Sequence, residues 1–144
     1  MSIFVCSVCG HLEFDHSPQE CPVCKSPKEK YTQKDTIFEE SSANSKEAAV
    51  KHIPAITVNK KCGLIPELPC IDIIVRIGAT LHPMEPKHFI QFVDCYLDQK
   101  YATRVAFTPG VSPAACIHIK TPGRTVTVVE NCNLHGYWKA EALI

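Results

Sequence analysis

In the C-terminal two thirds of the chain, apolar positions recur with a period of two. Ile71, Ile73, Val75 and Ile77 alternate with Asp72, Ile74 and Arg76; Ile117 and Ile119 alternate with Cys116, His118 and Lys120; Val126 and Val128 alternate with Thr125 and Thr127. Side chains two apart share a face of a strand, so each run predicts a strand with one buried face. Turn signals separate the runs: Lys61-Cys62-Gly63, Leu97-Asp98-Gln99-Lys100, Thr108-Pro109-Gly110 and Thr121-Pro122-Gly123. A further strand is expected over Phe89–Tyr96, beginning at His88, and a first one after His52, where Pro54 biases Ile53 towards extended geometry. Pro83 and Pro86 make Leu81–Lys87 a turn. No long stretch has the helical period. Residues 51–144 therefore read as an antiparallel β-sandwich or barrel.

The first 40 residues are different: few aliphatic positions and four cysteines. So short a segment needs a metal or disulfides to stay folded. Charge divides the chain at the same place. Residues 1–40 carry four Lys/Arg against seven Asp/Glu, a net of −3, and residues 41–144 carry eleven against eight, a net of +3. Opposite net charges would favour docking of the two parts. We divide the 144 residues into a four-cysteine metal domain (1–35), a linker (36–50) and a β domain (51–144). The linker is polar, then rich in small residues; Asn44 or Ser45 can cap one helical turn through Val50. No basic block suggests a nucleic-acid partner, and the most apolar run, Ile71 to Leu81, is too short to span a membrane. No secretion signal is visible at the N-terminus. Nine cysteines without one point to metal binding in a reducing compartment, so a cytoplasmic location is expected.

Two groups of residues carry metal chemistry. Cys6-x-x-Cys9-Gly10 and Cys21-Pro22-x-Cys24 form a pair of C-x2-C turns with eleven residues between them. Four sulfurs in tetrahedral array suit zinc or a single iron, and the spacing does not choose between them. His11 and His16, in the intervening loop, are expected to be solvated. The second group is Cys132-Asn133-Leu134-His135 with His82, His88 and His52. Taken singly, each histidine is an ordinary surface or core residue. Together, four imidazoles and a thiolate are too many nitrogen donors for a closed zinc site and suit a five-coordinate iron with one open face.

Phe4-Val5-Cys6-x-x-Cys9-Gly10 and Cys21-Pro22-x-Cys24-x-x-Pro27-Lys28-x-x-Tyr31 resemble the rubredoxin-type domain that ends rubrerythrins, over residues 3–32. Lys25 stands where simple rubredoxins usually have Gly. That resemblance implies an Fe(Cys)4 centre passing single electrons; a structural zinc ribbon is the alternative. Lys51-His52-Ile53-Pro54, His82-Pro83-Met84-Glu85-x-x-His88-x-Ile90 and Cys132-Asn133-Leu134-His135-Gly136-Tyr137-Trp138-Lys139-Ala140-Glu141 resemble the signature of superoxide reductases, the desulfoferrodoxin and neelaredoxin family. The likeness runs from about residue 48 to the C-terminus. It implies an immunoglobulin-like β-barrel, with a mononuclear non-haem iron held equatorially by His52, His82, His88 and His135 and axially by Cys132. Many members carry a Glu before the Lys-His pair as a sixth ligand to oxidised iron. Here Val50 occupies that place, and Glu47 is not expected to reach.

The implied activity is reduction of superoxide to hydrogen peroxide. Lys51, beside His52, would attract the anion. Amides near Asn133–His135 would donate to the Cys132 sulfur. The Fe(Cys)4 module on the same chain, or a separate reduced rubredoxin, would return the electron; the family also implies a homo-dimer or tetramer. Cys62, Cys70, Cys95 and Cys116 read as buried small hydrophobes, although Cys62 and Cys70 could approach each other as a redox pair. His118 reads as a non-ligand facing away from Ile117 and Ile119. The competing reading is a non-catalytic iron or zinc protein serving electron transfer or binding, for which an open coordination position has no use. Dismutation is a second rival. It would yield one peroxide per two superoxides rather than one per one.

Overall fold

The computed structural model describes residues 1–43 and 49–144. The expected cap at Asn44 or Ser45, and Glu47, lie outside the described residues. Strands β1 (Ile3–Cys6), β2 (Leu12–Phe14) and β3 (Tyr31–Gln33) form a small antiparallel sheet. Two short helices follow, α1 (Ile37–Ala43) and α2 (Ala49–His52). The remaining strands are β4 (Pro54–Asn59), β5 (Ile71–Ile77), β6 (Ile90–Leu97), β7 (Lys100–Ala106), β8 (Ala114–Ile119), β9 (Thr125–Cys132) and β10 (Gly136–Leu143). They pair into two antiparallel sheets, ordered β10-β9-β6-β7 and β4-β5-β8. The chain is mainly β, a sandwich preceded by a rubredoxin-like unit with four cysteines.

The alternating runs build the sandwich core. Ile73, Val75 and Ile77 of β5 and Ile117 and Ile119 of β8 are buried with Val93, Cys95, Val126 and Val128 of the facing sheet. Each such aliphatic side chain stabilises the fold by roughly 1.5–3 kcal/mol. Asp98 and Gln99 both have positive φ, 48° and 69°, the turn that joins β6 to β7 tightly.

Strands β6 and β9 are buried on both faces. Tyr96 and Val129 turn away from the sandwich and pack with Ile3, Leu12, Phe14 and Ile37. The N-terminal unit thus covers the outer face of the four-stranded sheet. Its polar anchor corrects the expectation for His11, which is fully buried rather than solvated. His11 Nδ1 lies 2.8 Å from Asp94 Oδ2 and Nε2 lies 3.1 Å from Glu13 Oε1. Burial alone pushes the His11 pKa down, but Asp94 and Glu13 outweigh it and hold it at about 8. Arg104 donates to Asp94 through Nε (2.6 Å) and Nη2 (2.8 Å), and through Nη1 to the Cys9 carbonyl (2.8 Å). Here the acidic unit supplies the imidazole and the basic sandwich the carboxylate, opposite in sense to the net charges.

The segment expected as a tether is partly a packed helix. Ile37 and Ser41, four apart on one face of α1, are buried. Tyr137 N donates to Ser41 Oγ at 2.9 Å, tying α1 to β10. Of the four remaining cysteines, Cys70 and Cys95 are buried as expected, whereas Cys62 is half-buried and Cys116 exposed. Cys116 lies on the outer face of β8, opposite in parity to Ile117 and Ile119, so it cannot join the core.

Candidate metal centre

Two of the expected donor groups converge. In the N-terminal unit, Cys6 Sγ lies 3.7 Å from Cys24 Sγ and Cys9 Sγ 3.6 Å from Cys21 Sγ. A tetrahedron of ~2.3 Å metal–sulfur bonds has edges of about 3.8 Å, so the four thiols fit one ion without rearrangement. Each C-x2-C turn closes the same way: Gly10 N donates to the Cys6 carbonyl and Lys25 N to the Cys21 carbonyl, both at 2.9 Å. Both turns need a left-handed residue, and φ is 78° at Gly10 and 66° at Lys25. Lys25 therefore adopts the conformation glycine favours, at a cost of about 1 kcal/mol. The Ser26 side chain, 3.2 Å from the Cys24 sulfur, pulls that thiol down to about 6.

The second group gathers at one end of the sandwich. His52 ends α2 just before β4; His82 and His88 lie in the connection between β5 and β6; Cys132 ends β9, and His135 sits in the turn before β10. Neighbouring imidazole centroids are separated by 4.5 Å (His52–His82), 4.6 Å (His82–His88), 4.9 Å (His88–His135) and 5.0 Å (His135–His52), each pair nearly perpendicular. The His52–His88 distance is longer, 6.3 Å, as the diagonal of a square must be. Cys132 Sγ lies 3.6 Å from His82 Nε2 and 3.8 Å from His135 Nδ1. Those two rings stand at opposite corners, so the sulfur lies over the middle of the square and not beside one edge.

Local structure fixes the donor atoms. Nδ1 of His82 lies 2.6 Å from the Pro83 carbonyl, which can only accept, so Nδ1 carries the proton and Nε2 is left bare. His82 Nε2 is 3.1 Å from His52 Nε2, close to the ~3.0 Å between adjacent nitrogens bound to one ion at ~2.1 Å. Nε2 of His88 is buried with no hydrogen-bond partner, an orphan that a metal ion would satisfy. His52 stacks on Trp138, whose Nε1 donates to the His135 carbonyl at 3.1 Å. Asn133 clamps the two ligand segments: its Oδ1 accepts from Phe89 N (2.9 Å) and its Nδ2 donates to the Lys87 carbonyl (3.1 Å).

Burial, aided by the neighbouring imidazoles, drives His82 down to about 4 despite its bond to Pro83, and burial and His135 lower His88. These rings are neutral, ready ligands at neutral pH. Burial raises the Cys132 thiol, while the amides of Leu134 and His135 pull it back, as the motif implied. Lys51 is exposed, and its charge contributes to lowering His88. Val50 is also exposed. The donor set of this group suits a first-row ion with one side open.

The pattern of period-two runs did not reveal Asp94 and Arg104 as anchors. They lie on either side of the β6–β7 turn, and a register shift between Cys95 and Tyr96 makes them direct partners. A charged pair flanking a tight hairpin was the available signal. His118, read as a non-ligand facing away from Ile117 and Ile119, lies beside Cys62, Cys70 and Asp72 in a third convergent group.

Comparison with known proteins agrees. The desulfoferrodoxin family model matches residues 44–141, and that of the rubrerythrin rubredoxin-like domain matches residues 4–32. Desulfoferrodoxin of Syntrophotalea carbinolica is 32% identical over 143 residues, covering 98% of this chain and 96% of the relative. That of Nitratidesulfovibrio vulgaris is 33% identical, covering 97% and 95%. Among solved structures, a superoxide reductase (neelaredoxin) from Ignicoccus hospitalis superposes with a TM-score of 0.60 at 25% identity, covering 74% of this chain and 89% of that one. The superoxide reductase from Nanoarchaeum equitans gives 0.56 at 29% identity, covering 65% and 93%. The family match runs through every segment that contributes to the imidazole square, and the chain belongs to the desulfoferrodoxin family.

Proposed function

We propose that this chain is a superoxide reductase of the desulfoferrodoxin type, using iron held by His52, His82, His88, His135 and Cys132. Superoxide takes one electron and two protons and leaves as hydrogen peroxide. The observation that carries the reading is the square of four imidazoles with a single sulfur over its middle. Ferrous iron bound there supplies the electron and an open position for a small anion.

The chain's own residues do the rest. Pro83 and Asn133 hold the donors in place, so the ion meets preorganised nitrogens. Lys51, exposed beside His52, raises the local concentration of the anion. His88 and His135 are only partly buried, so solvent supplies the protons.

Return of the electron is assigned to the four-cysteine unit, carrying iron. Cys9 and Cys132 line one cleft of about 540 Å³, together with Phe92 and Tyr137, and Tyr137 donates to the Gly10 carbonyl at 2.8 Å. That contact supports a relay within one chain, refilled by reduced rubredoxin or a similar one-electron protein. A dimer or tetramer formed through the sandwich belongs to the same proposal and is tested by sedimentation. So does cytoplasmic residence, since the thiols need a reducing compartment. No described helix is long and apolar enough to cross a membrane.

The test mixes anaerobically reduced, iron-loaded protein with superoxide. One peroxide per superoxide, with a red thiolate-to-iron absorption band that Cys132→Ser abolishes, is the expected result. Two superoxides consumed per peroxide would mean dismutation. Zinc in both sites of an iron-supplied preparation would leave only a binding role.

A further inference from the structure

The connection between β4 and β5, residues 60–70, is held by side chains that neither metal group uses. Asn59, Asp72 and His118 are direct partners across β4, β5 and β8 and form a row on the outer face of that sheet. The loop folds back over the row. It brings Cys62 Sγ to 3.2 Å and Cys70 Sγ to 3.7 Å from His118 Nδ1. Asp72 Oδ1 is 2.8 Å from the same nitrogen and 3.9 Å from Cys70 Sγ. All four donor atoms lie within 4.8 Å of one another.

Hydrogen bonding alone does not account for this convergence. A single N–H at Nδ1 serves Asp72, and both thiols are left to share that same carboxylate, Cys70 Sγ at a long 3.9 Å. A cation at the centre satisfies all four. Apolar burial does not hold the loop either, because Leu64 and Leu68 are 72% and 60% exposed. We propose that Cys62, Cys70, Asp72 and His118 form a third metal site that takes Zn²⁺ and ties the β4–β5 loop to the sheet. Two thiolates, one imidazole and one carboxylate are a complete tetrahedral set for zinc, with no position left for a substrate, so the site is structural. Binding displaces the two thiol protons to solvent. The outer carboxylate oxygen, Asp72 Oδ2, accepts from Asn59 Nδ2 at 3.3 Å, which orients the ligand from behind.

The site is remote from the imidazole square. Pro54, two residues after His52, and Asn59 stand at opposite ends of β4, ~17 Å apart at ~3.3 Å per residue. Metal binding by the loop is therefore independent of superoxide chemistry.

The test counts metals in the full chain, expressed with iron and zinc and kept reduced. Three metal ions per chain are expected, one of them zinc that survives gel filtration. Cys62→Ser and His118→Asn should each lose that zinc while keeping the visible spectrum of the iron centre, which shows that the fold is intact. Asn59→Ala should weaken zinc binding by about 10-fold in chelator competition. In cadmium-substituted protein, Cys62→Ser should remove one ¹¹³Cd resonance and leave that of the four-sulfur site. An equal metal count in wild type and Cys62→Ser overturns the proposal. So does a third ion lost on gel filtration, or a Cys62–Cys70 disulfide in non-reducing peptide mass spectra.

Discussion

Replacing Asp94 by Ala tests whether the buried ion network docks the four-cysteine unit to the sandwich. The Asp94 carboxylate accepts two hydrogen bonds from Arg104 and meets His11 Nδ1, and its side chain is 1% exposed. Truncation leaves the Arg104 charge without its counter-ion and His11 with Glu13 alone. Breaking such a pair costs about 3–5 kcal/mol. The lower end applies here, because Arg104 keeps the Cys9 carbonyl and lies 3.5 Å over the Phe92 ring. We expect a loss of about 3 kcal/mol, which most domains survive. Denaturant unfolding of protein loaded with iron at the four sulfurs, as proposed, can follow that chromophore and the fluorescence of the single tryptophan, Trp138, separately. The chromophore transition should move to lower denaturant first. Electron return from that unit should slow in stopped flow, while the first encounter with superoxide keeps its rate. A loss under about 1 kcal/mol, the value of an exposed pair, would refute the docking role of the network.

Gly136→Ala should lower stability by about 1–3 kcal/mol in thermal melts, because φ is 77° and the new Cβ would stand 2.5 Å from Ser41 Oγ; Ser41→Gly should restore part of it. Lys51→Met should slow the reaction with superoxide up to about 10-fold at low ionic strength, and the difference should shrink as salt is raised. Asn133→Ala removes the clamp between the His88 and His135 segments, so iron affinity should fall about 10–100-fold in chelator competition. The amides of Arg124 and Thr125 hold the Asp98 carboxyl below its usual range. A depressed pKa gives stability that is present above the unfolded value and lost as pH falls through the folded one. Acid titration of stability should therefore be shallower below about pH 4 in Asp98→Asn than in wild type.

The sandwich strands were legible where one face meets the core and the other meets solvent, as in β5 and β8. Strands β7 and β10 were not, because their alternation is weak: only Trp138 is buried along β10, and no residue along β7. The motifs named the four histidines that form the imidazole square and the cysteine that lies over it. They could not reveal the order of the corners, which rests on how the connection between β5 and β6 closes on the turn after β9. His11 was misread because its partner Asp94 lies 83 residues away. Local polarity marks a loop histidine as solvated; only the packed face of β6 makes it a buried anchor.

Placement along the strands explains how one small sandwich can carry separate metal chemistries. Hydrogen-bonded ladders fix the middles of β4, β5 and β8, so side chains at opposite ends hold position relative to the sheet and not to each other. His52 precedes one end of β4 and takes its place in the imidazole square, whereas Asn59 closes the other end beside Asp72 and His118. Groups farther apart than about 7–10 Å without shared partners respond to change additively. The four-cysteine unit differs, because Arg104 of β7 binds the Cys9 carbonyl and Tyr137 of β10 the Gly10 carbonyl, which couples its first cysteine turn to the sheet that carries Cys132. Separation suits the structural ion proposed for Cys62, Cys70, Asp72 and His118, whose role is finished once the loop is held. A shared sheet suits the electron relay proposed between the four-cysteine unit and the imidazole square.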